Sequence, residues 1–133
     1  MKTAIPLIEF IPDGADDCPL IQISGTDIQT SRELFHAIRE MRERMTGSFG
    51  LHELPGFENC INPKFYFEVS ETSVGIQRSG NGNQFTCKLS YDGWIRVEDL
   101  LAPFCQRSSA TTGFQWLDES SEISLLYSPG GGW

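Results

Sequence analysis

The chain has 133 residues, 39% hydrophobic and 21% charged, the size and composition of a single soluble globular domain with a core of its own. Ten basic residues against eighteen acidic ones give a net charge of −8. That balance excludes nucleic acid and anionic membrane surfaces as main partners, since both need clustered Lys and Arg, and it permits a basic protein partner.

Pro6 and Glu9 interrupt the apolar start before it can serve as a signal sequence. No stretch approaches the ~20 apolar residues of a membrane span. The expected location is the cytoplasm, where Cys18, Cys60, Cys87 and Cys105 stay reduced. Residues 5–11 are almost wholly apolar and predict a strand, with Pro6 favouring an edge. Residues 12–17 read as a loop, and Leu20, Ile21 and Ile23 as a second short strand. A long helix follows. Thr26-Asp27-Ile28-Gln29 and Thr30-Ser31-Arg32-Glu33 both fit the capping-box pattern. Leu34, Phe35, Ile38, Met41 and Met45 recur at helical spacing and make one apolar face. Arg39 with Glu43, and Glu40 with Arg44, are i,i+4 pairs on the outer faces, each worth ~0.2–0.5 kcal/mol. Gly47 ends the helix.

Residues 47–63, punctuated by Gly47, Gly50, Pro55, Gly56 and Pro63, predict a long loop of the kind that tends to be functional or mobile. A meander comes next. Phe65, Phe67 and Val69, then Val74 and Ile76, then Phe85, Cys87 and Leu89 alternate with polar residues. Its turns fall at 71–73 and at 80–83, where Asn81-Gly82 is a hairpin signal. Trp94, Val97, Leu100, Leu101 and Phe104 predict a short helix over 94–106, and residues 114–117 and 123–127 a last hairpin around 118–121. The order β-β-α-β-β-β-α-β-β does not interleave helices with strands regularly. It predicts an α+β domain over 1–133, a mainly antiparallel sheet with one long helix and one short helix.

No serine lies in a Gly-x-Ser-x-Gly elbow. His52 in the 47–63 loop and Cys60 are the one pairing that could serve nucleophilic catalysis; an exposed His and a buried Cys is the simpler reading. His36 beside Phe35 reads as a surface or partly packed helix residue. Two His and four scattered Cys have no zinc-ligand spacing. Asp13, Asp16 and Asp17 lack the twelve-residue calcium-loop pattern. Gly80-Asn81-Gly82 is too short for a phosphate loop and precedes a strand. Adjacent acids at Asp16-Asp17, Glu98-Asp99 and Asp118-Glu119 read as solvated. The expectation is therefore a non-enzymatic protein with no catalytic residue, no metal and no cofactor.

Charge is distributed unevenly. Residues 1–27 carry one Lys against five acids, and residues 108–133 carry three acids and no base, whereas residues 28–46 carry four Arg against three Glu. If the two ends meet, Asp16, Asp17, Asp118, Glu119 and Glu122 form an acidic patch suited to a basic partner, with the terminal Trp133 as a possible anchor ring.

Tyr91-Asp92-Gly93-Trp94 leading into the short helix, Phe114-Gln115-Trp116-Leu117, Ile123-Ser124-Leu125-Leu126-Tyr127-Ser128, Gly130 and Trp133 form a series. Over roughly residues 91–133 it resembles the second half of a family of bacterial immunity proteins encoded beside polymorphic toxins. The triple Gly before Trp133 departs from the single Gly of that family. The resemblance implies binding and neutralisation of a cognate toxin protein. Two other classes stay open: a small ligand-binding domain or enzyme using the 47–63 loop with His52 as base, and a structural subunit that contributes a sheet edge to an oligomer.

Overall fold

A computed structural model describes residues 5–15, 18–44, 47–61, 63–79, 83–107 and 113–131. The elements in chain order are β1 (Leu7–Ala15), β2 (Cys18–Ser24), α1 (Ile28–Arg44), β3 (Ser48–Gly50), β4 (Lys64–Val69), β5 (Gly75–Ser79), β6 (Gln84–Leu89), α2 (Tyr91–Leu101), β7 (Gln115–Asp118) and β8 (Ser124–Tyr127). Single 3-10 turns occupy Leu51–Glu53 and Ala102–Cys105. The protein is α+β, with one longer and one shorter helix in the expected order. The addition is β3. With the turn after it, β3 makes the 47–63 segment a folded element, and Leu51 and Phe57 from this segment are fully buried.

Residues 12–15, expected as a loop, continue β1. The β1–β2 register shifts between Ile11 and Ala15, so the irregularity sits at an edge strand, where Pro12 with its missing N–H is tolerated. The eight strands form two sheets rather than one, ordered β1-β2-β8-β7 and β3-β4-β6-β5. Outer pairings are antiparallel; the central ones, β2 with β8 and β4 with β6, are parallel.

The expected meander is corrected at one step. β4 does not follow into β5 as a hairpin; β6 lies between them. The burial pattern gives the reason. Phe65, Phe67, Phe85 and Cys87 make β4 and β6 apolar enough for the centre, whereas β5 exposes Gln77, Arg78 and Ser79 and belongs at an edge.

α1 begins one residue after a reciprocal cap that falls between the two patterns expected from sequence. The Thr30 N–H donates to Asp27 Oδ1 at 2.9 Å, and the Asp27 N–H donates to Thr30 Oγ1 at 2.8 Å. Its buried face, Ser31, Leu34, Ile38 and Met41, packs into a core shared by both sheets and both helices. Ser31 Oγ and the Tyr127 hydroxyl lie 2.6 Å apart and tie α1 to β8 inside that core. Burial pushes the Tyr127 phenol up to about 12, with the hydrogen bond to Ser31 pulling the other way.

α2 is held to α1 by charge. Glu98, expected as a solvated acid, is only 3% exposed. Arg39 Nε donates to its Oε1 at 3.1 Å; Arg42 donates Nη2 to Oε1 at 3.1 Å and Nε to Oε2. Arg42 Nη1 also donates to the Tyr91 hydroxyl at 3.1 Å. Arg39 thus reaches across to α2, rather than along α1 to Glu43. A carboxylate taken out of water requires a cation in contact, and two arginines one turn apart supply it. The pair raises the Arg42 pKa further.

The two sheets meet through aromatic rings. Phe10 of β1 and Phe85 of β6 have ring centroids 4.9 Å apart, with the Arg78 guanidinium 4.7 Å and 5.4 Å from the two centroids. Trp94 of α2 packs 4.8 Å from Phe67, and its Nε1–H donates to the Glu68 carbonyl at 2.9 Å.

Glu98→Ala leaves Arg42 largely buried without a counter-charge and is expected to cost about 3–5 kcal/mol in urea unfolding. Asp99→Ala, at its exposed neighbour, should change stability by less than about 0.5 kcal/mol.

Tyr127 sets an alkaline limit. The unfolded phenol ionises near ~10, below its folded value, so its contribution is complete below pH ~10. It is lost as pH rises to about 12, a fall of about 2–3 kcal/mol in total. Urea midpoints measured across that interval should lose this component of the slope in Tyr127→Phe. An identical slope in the variant would contradict the assignment.

Candidate functional site

The acidic residues near the end of the chain are displayed by a turn whose position is fixed from below. β7 pairs with β8, and the register shifts between Trp116 and Asp118. At that bulge Leu117 enters the core, 2% exposed, while its neighbours Trp116 and Asp118 line a surface hollow. Bulges re-aim side chains in this way and are frequent beside binding sites.

Asp118 is oriented by Ser120, whose hydroxyl lies 2.8 Å and 2.9 Å from its two carboxylate oxygens. Ser121 reaches the other sheet: the Ile76 N–H donates to its Oγ at 3.0 Å. The Ser121 hydroxyl hydrogen points toward the carbonyls of Ile123, 3.0 Å away, and Ile76, 3.3 Å away. Gly75 makes this approach possible. Its φ is +80°, and a Cβ there would lie 2.6 Å from Ser121 Cβ and 2.9 Å from Ser120 Oγ.

The hollow has a volume of about 320 Å³ and lies between α2 and β7. Arg96 and Leu100 of α2 form one wall; Trp116, Asp118, Glu119 and Ser120 form the other, with Leu117 between. Arg96 and Leu100 are four residues apart, hence on one helix face. Arg96 and Glu119 are exposed and Trp116, Leu100 and Asp118 half-buried, so the lining combines an aromatic and an aliphatic side chain with one cation and two carboxylates. Glu122 is exposed on the same turn.

Of the residues expected to contact a partner, the structure therefore places Asp118, Glu119 and Glu122 together on one anchored turn. Asp16, Asp17 and Trp133 lie outside the described residues. Sequence reading missed Arg96, Leu100 and Trp116 as members of this surface, and Gly75 and Ser121 as its supports. The helical spacing of Arg96 and Leu100 was the available signal; that α2 lies against β7 was not in it.

The 47–63 segment does not bring His52 to Cys60 as interacting side chains. His52 stacks edge-on to Tyr66, centroids 5.6 Å apart, and its Nδ1 is buried without a hydrogen-bond partner among the described residues. The Cys60 thiol donates to the Pro6 carbonyl at 3.3 Å, and burial pushes its pKa up. A buried protonated thiol is a poor nucleophile.

A second hollow, about 380 Å³, runs along α1 beside Gln29, Arg32, His36 and Cys105. Burial raises the Cys105 thiol too, and nearby Arg32 only partly counters this. Cys87, fully buried, is raised well above its usual value by desolvation. Among the described residues, no group of three or more His, Cys, Asp or Glu could hold a metal ion, and no helix is long and apolar enough to cross a membrane.

No protein-family model matches the chain, and no curated protein or solved structure shows significant similarity to it.

Gly75→Ala must relieve a clash at positive φ and is expected to cost about 1–3 kcal/mol. It should also speed hydrogen exchange at the Ile76 amide, which Ser121 accepts in the native turn. Unchanged exchange at Ile76 would show that the turn is held by other contacts.

Proposed function

We propose that this protein is a non-catalytic inhibitor of the bacterial immunity class, which binds and neutralises a cognate toxin domain bearing a basic surface. The observation that carries the reading is the anchored turn. Ser121 and Gly75 tie the 118–122 segment to the second sheet and Ser120 orients Asp118, so Asp118, Glu119 and Glu122 are carried on a turn whose backbone is held in place. A pre-ordered acidic surface speeds encounter with a cationic partner and loses little side-chain entropy on docking. The net charge of −8 extends the same field over the molecule. The resemblance of residues 91–133 to immunity proteins supports the same class. The cytoplasm is the compartment in which such a protein would meet its toxin, with Cys60, Cys87 and Cys105 as free thiols.

Co-expression with the product of the adjacent gene tests this. The expected result is restored growth together with co-purification of a stoichiometric complex; absence of both overturns the reading. In the purified pair, replacing Asp118, Glu119 and Glu122 together by Lys should lower the association rate about tenfold or more at low salt, with the difference shrinking as salt rises. An unchanged rate would exclude this turn as the docking surface.

A further inference from the structure

We draw no further inference here: the strongest candidate, the apolar surface at the free edge of β1 where Leu7 and the neighbouring Ile5 are exposed, carries nothing, because nothing in the structure shows what covers it.

Discussion

The buried carboxylate of Glu98 is the constraint around which the two helices are arranged. It is 3% exposed and could not remain there alone, because an isolated charge in a core costs several kcal/mol. Arg39 and Arg42 approach it from α1, and the Arg42 fork also reaches Tyr91 at the start of α2. The helices can move apart only by stranding that charge, so the crossing of α1 over α2 is specified by geometry as well as by apolar contact. Arg39 and Arg42 also lie over the rings of Phe35 and Tyr91, at 4.8 Å and 5.4 Å, which fills the space around the pair.

From this clamp the rest of the architecture follows as a series of cross-links between layers. α1 is bonded to β8 of the first sheet through Ser31 and Tyr127, while α2 is bonded to β4 of the second through Trp94 and Glu68. The helix pair therefore couples one sheet to the other from one side, and the contacts of Phe10 with Phe85 and of Ser121 with Ile76 couple them directly. Each hydrogen-bonded tie places a polar group at the end of an apolar side chain or strand, where an unmade bond would be more costly than the bond is favourable.

The candidate site lies where these cross-links converge. α2, β7 and the start of β5 all contribute to it, and none can shift without disturbing a buried contact. Rigid elements hold side chains more accurately than loops do, and a pre-ordered turn spares a binding reaction the entropy of ordering it. The 47–63 segment is more structural than its composition implies. Leu51 and Phe57 are core residues, and His52 lies against Tyr66.

Much of the fold was legible in the chain because burial leaves a period. Leu34, Ile38 and Met41 mark the helix face, and the alternation of Phe65 with Phe67 and of Phe85 with Cys87 marks strands. Charge asymmetry toward the chain ends was legible too, since it needs only counting. The period of a strand, however, says which side chains turn inward and nothing about which strand lies alongside, so the insertion of β6 between β4 and β5 was invisible. Sequence likewise could not separate Glu98 from Asp99: one carboxylate is buried between two arginines and the other exposed because of where a helix sixty residues earlier passes. The sequence by itself determined the two helices, seven of the eight strands, their order and the acidic character of the last segment. The tertiary structure alone decided that Ser121 meets Ile76 and that Arg96 and Trp116 line one hollow, because it brings together residues that no local pattern relates.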